Sequence, residues 1–206
     1  MLHRLYPLGE IPDYEPDPSR SFVEIAKSNN ATPEEVLYDY MLKDEGHAMG
    51  MMPIFNYVDG NHDVIREMLL HPQAVSGLSD GGAHCGMICD ASIPTFMLSH
   101  WTRDRTRGEK LPLEWIIKKQ TLDTASLYGL SDRGSLKVGK RADLNVIDYE
   151  ALTLHGPKMA HDLPAGGRRL LQEATGYDYT IVAGQITRDH GKDTGKRPGH
   201  LIRGAR

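Results

Sequence analysis

The apolar pattern of the chain begins only after a proline-broken start. Pro7, Pro12, Pro16 and Pro18 are scattered among acidic residues between positions 7 and 19. Each proline removes a backbone donor and restricts the residue before it, so an extended surface segment is expected there. Phe22, Ile25 and Ala26 then recur at helical spacing. Thr32-Pro33-Glu34-Glu35 is a helix start, with Thr32 as N-cap, Pro33 in the first turn and Glu35 placed to reach back to the cap, and it predicts a helix from Pro33 to about Lys43. Met49 to Val58 is a nearly unbroken apolar run closed by Asp59-Gly60. Its length predicts a strand buried on both faces. Asn61 to Leu70 reads as a helix ended by His71-Pro72, and Ala74 to Leu78 as a second short buried strand that stops at Ser79-Asp80-Gly81-Gly82.

Helices are predicted over Pro94 to Arg103, Pro112 to Gln120 and Asp123 to Tyr128, the last closed by Gly129. Beyond Gly129 the grammar changes to strands at Ala142 to Ile147 and Tyr179 to Ala183, with a turn at Ala183-Gly184-Gln185 and a returning arm to Arg188. Residues 151–175 show no clear period and receive no assignment. The expected organisation is α/β over residues 1–130, then a small β-domain over 131–206 that ends in an extended arm.

Composition narrows the function classes. Against 28 acidic residues the chain has 24 Lys and Arg, a formal charge of −4. A nucleic-acid partner is not expected, since phosphate binding needs a cationic face. The densest basic stretches, Arg103 to Arg107 and Lys192 to Arg206, are short and read as solvated surface. No apolar run approaches the roughly 20 residues of a membrane span, and Met1 to Glu10 lacks a leader pattern. Cys85 and Cys89 are the only cysteines, too few for a disulfide framework, so a soluble, cytoplasmic chain is expected.

Ser79-Asp80-Gly81-Gly82-Ala83-His84 carries the most chemistry. A carboxylate at the C-terminal end of a buried strand sits where α/β folds build active sites, although Asp80 would serve equally to cap the following turn. His84, Cys85, Cys89 and Asp90 are all metal-ligand types. A C-x3-C pair with one histidine lacks the further donors of a tetrahedral zinc site, and two reduced thiols are the simpler reading. His47, His62, His71 and His100 stand singly. No H-x-H, H-E-x-x-H, G-x-S-x-G, P-loop or G-x-G-x-x-G occurs.

Several motifs, taken in order, carry a resemblance. They are Tyr6-Pro7-Leu8-Gly9; Phe55-Asn56-Tyr57 with Asp59-Gly60-Asn61; Gly77-Leu78-Ser79-Asp80-Gly81; the run Gly139-Lys140-Arg141-Ala142-Asp143-Leu144-Asn145-Val146-Ile147-Asp148; Ile181-Val182-Ala183-Gly184-Gln185; and Thr194-Gly195-Lys196-Arg197-Pro198-Gly199. Together they resemble the C-terminal part of the N-acyl-D-amino-acid deacylases of the amidohydrolase superfamily. The resemblance implies strands seven and eight of a metal-dependent (β/α)8 barrel followed by a small β-sandwich-like domain. It also implies zinc as cofactor and hydrolysis of an N-acyl amino acid or related amide. Asp80 would then be the general base and a weak or water-mediated metal ligand, with Tyr57, Asn61 and His84 as substrate contacts.

The relatives' other metal ligands have no counterpart in this sequence: an H-x-H after strand one, a bridging Cys or Lys, and histidines after strands five and six. A barrel needs roughly 250 residues. The expectation is therefore an incomplete enzyme whose open strand edges pair with a missing N-terminal barrel half or with a second copy. The relatives' H-P-R after the S-D-G loop is also absent, the loop from His84 to Ser92 having no arginine. Two other readings stand beside this one: a non-catalytic binding or assembly fragment, and another amidohydrolase chemistry such as cyclic-amide hydrolysis or deamination.

Overall fold

The computed structural model describes residues 2–77, 79, 81–82 and 84–203. They fall into two compact units, Met1–Pro72 with Thr106–Glu109 and Gln73–Arg105 with Lys110–Arg206. No helix among the described residues is long and apolar enough to cross a membrane.

In the first unit, strand β1 (Tyr6–Pro7) pairs antiparallel with β2 (Gly50–Met51), and helices α1 (Phe22–Asn29), α2 (Pro33–Met41) and α3 (Asp63–Leu70) complete the order. The Ser21 side chain caps α1 by accepting from the Glu24 amide, and Asn30 ends that helix in the left-handed region. At α2 the capping box forms as the sequence predicts. The Glu35 amide donates to Thr32 Oγ1 at 3.2 Å, and the Thr32 amide donates to Glu35 Oε2 at 2.9 Å. Phe22 and Ala26 are buried, Phe22 lies edge-on to Tyr40, and Tyr6, Leu8 and Tyr57 extend this core.

Two expectations fail in this unit. Met49 to Val58 is not a buried strand: only Gly50–Met51 pairs, and Phe55 and Val58 are 80% and 89% exposed. Pro53 cannot donate to a ladder, and Asn56 turns the backbone to a positive φ, so the apolar run leaves the sheet within a few residues. Nor is the proline-rich segment wholly on the surface, since Leu8, Glu15 and Pro16 are buried.

The second unit starts with short helices α4 (Ile93–Ser99), α5 (Leu113–Lys118) and α6 (Thr124–Leu127). A π turn follows α4 at His100–Asp104, where the expected helix ran on to Arg103, and another at Lys119–Asp123 joins α5 to α6 across the break expected between Gln120 and Asp123. The strands are β3 (Leu144–Ile147), β4 (Thr153–Leu154), β5 (Lys158–Leu163), β6 (Gly167–Leu171), β7 (Ala174–Thr175), β8 (Tyr177–Val182), β9 (Gln185–Asp189) and β10 (Lys192–Asp193). A four-stranded sheet runs β10-β9-β8-β3, with β4–β7 and β5–β6 as separate pairs. In the sheet Leu144 faces Ile181 and Val146 faces Tyr179. The β8–β9 turn places Ala183 and Gly184 at φ 50° and 75°, the two left-handed positions of a tight hairpin.

All strand pairs among the described residues are antiparallel, and no barrel closes. The parallel strand expected at Ala74 to Leu78 does not form over residues 74–77, and Leu78 lies outside the described residues. Residues 151–175, which the sequence left unassigned, hold β4 to β7. The basic stretch at 103–107 is also not solvated surface. Arg103 donates to the carbonyls of Tyr149, Glu150 and Leu152, and Arg105, 1% exposed, lies over the Trp101 ring.

Candidate functional site

Gly81 and Gly82 lie on a turn where the sequence places its strongest chemistry, and Asp80 itself lies outside the described residues. A Cβ on Gly81 would come within 3.1 Å of the Ala91 Cβ, so a larger residue there would require Ala91 to give by a few tenths of an ångström. His84 is exposed at φ 50°, and its carbonyl accepts from the amides of Met87 and Ile88 at 2.8 and 3.0 Å. That carbonyl closes a compact turn from which the imidazole stands in solvent. The Cys85 carbonyl accepts from the Leu170 amide at 2.6 Å, which ties the turn to β6.

Both cysteines are free and half-buried. Burial, and then the neighbouring Asp90 charge, push the Cys89 thiol up. Cys89 therefore stays a thiol near neutral pH, a poor nucleophile. Beside it is a cleft of about 270 Å³, lined by Cys89, Asp90, Ala91, Ser92, Thr95, Leu170, Leu171, Gln172 and Ala174. Much of its polar lining is engaged locally. Ser92 Oγ donates to Gln172 Oε1, Gln172 Nε2 donates to the His155 carbonyl at 2.8 Å, and Thr95 Oγ1 lies 2.8 Å from the Tyr177 hydroxyl.

Tyr57 and Asn61 belong to the first unit. The Tyr57 hydroxyl donates to the Pro16 carbonyl at 2.6 Å and receives Arg107 Nη1 at 3.1 Å, while its ring meets Tyr6 and His62 edge-on. Burial pushes this phenol well up despite the opposing Arg107 charge, so it is a neutral hydrogen-bonding group. Asn61 Oδ1 accepts from the Asp63 amide at 2.9 Å and so caps the start of α3.

Sequence reasoning missed Glu15, His62 and Arg107 here. Glu15 is 2% exposed, and its Oε1 accepts from the His62 amide at 2.7 Å, with Oε2 3.8 Å from His62 Nδ1. Arg107 Nη1 reaches the carbonyls of Glu15, Pro16 and Gly60. One acid among several between prolines and one arginine of three in a basic stretch give no sequence signal for such a cluster.

Within neither unit by itself do three His, Cys, Asp or Glu donors among the described residues come within 4.8 Å of one another. His84, Cys85, Cys89 and Asp90 accordingly do not converge on an ion, in keeping with two reduced thiols. Zinc itself is therefore not specified by the described residues of either unit.

In the second unit three short helices are followed by an antiparallel sheet that opens at Leu144. The model described as the amidohydrolase family matches residues 36–188, about three quarters of the chain. The chain belongs to the amidohydrolase family, whose members are hydrolases and generally depend on a metal. No curated protein and no solved structure gives a significant match.

Proposed function

We propose that the chain serves the hydrolysis of a linear N-acyl amide, an N-acyl amino acid or a close relative of one, with Asp80 as the proton carrier. The observation that carries this reading is the family match, which spans the S-D-G turn and runs on through the G-K-R-A-D-L run into β3 and β8. In the reaction a water oxygen bonds to the acyl carbon and the carbon–nitrogen bond breaks. The Asp80 carboxylate takes a proton from that water and returns it to the departing nitrogen, which leaves as an amine beside a carboxylate product. His84, exposed four residues further on, is the side chain we assign to the substrate. Tyr57 and Asn61 would act only by shaping their own segment, since their polar atoms are already bonded within it.

The test is release of free amine from a panel of N-acyl D- and L-amino acids, with and without added zinc. Asp80→Asn is expected to lower turnover by about 10²- to 10⁴-fold, the usual share of acid–base catalysis. Equal turnover by the variant would remove Asp80 from the mechanism. No amine from any substrate would remove the hydrolase reading for this chain acting alone.

A further inference from the structure

Residues 74–77 lead directly into Ser79 and Asp80, yet they pair with no strand and make no turn bond among the described residues. The Ser76 hydroxyl is buried without a partner. What reaches this sparsely bonded stretch is one side chain from the π turn after α5. Lys119 is 4% exposed, and its Nζ donates to the Ala74 carbonyl at 2.6 Å. The same Nζ lies 4.7 Å from the centre of the Trp115 ring, one helical turn earlier, which aims it. Burying an ammonium is costly, and an apolar residue would fill the space without that cost. A charge-assisted bond to a carbonyl with no ladder partner is the return that a lysine gives.

We propose that Lys119 is a positioning residue that holds residues 74–77 and 79, the lead-in to Asp80 in the sequence, in place. The proposal rests on the reading of Asp80 as proton carrier. Burial pushes the Lys119 ammonium below the ordinary lysine range, while Asp123, itself 2.5 Å from Lys118 Nζ, pulls the other way.

Two measurements on the full chain test it. In an NMR titration with ¹³Cε-labelled lysine, and Lys119 assigned from K119R, its resonance should titrate below the other lysines, which cluster near about 10.4. Titration together with the exposed lysines would show that Nζ is not seated on Ala74, and would overturn the proposal even if further variants failed to fold. In ¹⁵N relaxation, K119M should lower the order parameters of residues 75–77 and 79 from about 0.85 to below about 0.6, with β8 and α1 unchanged. K119R, which keeps charge and donor, should restore them. Unchanged order in K119M, or a loss shared by β8, would refute the role. In the amine-release assay K119M should lower kcat about tenfold with KM nearly constant. Should Asp80→Asn keep full turnover, the proton-carrier reading fails while the NMR result on residues 74–77 and 79 stands or falls separately.

Discussion

Replacing Arg107 by methionine should loosen the first unit and leave the second in place. Nη1 of Arg107 faces four acceptors: the Gly60 carbonyl at 2.7 Å, the Pro16 carbonyl at 3.0 Å, and the Glu15 carbonyl and Tyr57 hydroxyl at 3.1 Å. One guanidinium nitrogen carries two hydrogens, so two of these bonds are well directed and the others share them. Hydrogen bonds from a charged donor contribute about 1.5–3 kcal/mol each. Because the Arg107 side chain is 29% exposed, water can replace part of that, and about 2–4 kcal/mol is a reasonable net loss. The ion pair with the exposed Asp17, at 3.5 Å, adds little.

Urea unfolding followed residue by residue by NMR separates the units. Amides of α1 and α2 should lose their native signals at lower urea in Arg107→Met, while those of β8 and β9 keep theirs. Arg107→Lys should recover less than half of the loss, since an ammonium cannot span the same acceptors. If α1 and α2 shift by less than about 0.5 kcal/mol, the size expected of an ordinary surface substitution, the clamp is not a stabilising feature and the argument fails.

Two further outcomes follow from local geometry. At Gly176, φ is 96° and a Cβ would sit 2.6 Å from the Leu152 Cα and 2.7 Å from its amide nitrogen, so Gly176→Ala must displace backbone. Left-handed strain of about 1–2 kcal/mol and overpacking of about 1–3 kcal/mol predict a clear drop in the unfolding midpoint of the second unit, read by the fluorescence of Trp101 and Trp115; an unchanged midpoint would contradict the contact. In acid, Asp193 is held well below the usual carboxylate range by Arg197 and the Gly195 amide, and Asp132 and Asp162 are lowered by Arg133 and Arg169. Each folded value lies below the unfolded one, so the contribution is complete above the unfolded carboxylate value near 4 and fades as pH falls through the folded value. The Gly195 amide resonance should therefore move at lower pH than a free aspartate would titrate, and a midpoint at the ordinary value would show the Arg197 pair is absent in solution.

Much of the local architecture was legible because it is written in short-range chemistry. Thr32-Pro33-Glu34-Glu35 specifies a capped helix from four residues alone, and Ala183-Gly184 specifies a tight hairpin in the same way. What was not legible depends on distant partners. The apolar run from Met49 to Val58 has the composition of a strand, but Pro53 and Asn56 decide otherwise, and nothing in a count of apolar residues weighs one proline against nine neighbours. Glu15, Arg107 and Lys119 look like ordinary surface charges because the backbone groups that their side chains bond lie 45 or more positions away in sequence. Strands β4 to β7 escaped because their pairing is local but their side chains show no alternation.

The motif that most clearly marks the family is itself structural, and this bears on how far function can be read from it. Asp143, in the G-K-R-A-D-L run, accepts from the Ala183 amide at 2.8 Å on Oδ1, and both its oxygens receive Arg141 Nε. Arg133 adds a further donor at 3.2 Å. With four donor contacts already made, this carboxylate pins the β8–β9 turn to β3 and has little capacity left for a substrate. The run therefore serves the fold, and specificity has to come from elsewhere. The stretch between Gly82 and α4 has His84 exposed, Asp90 beside the cleft and no arginine.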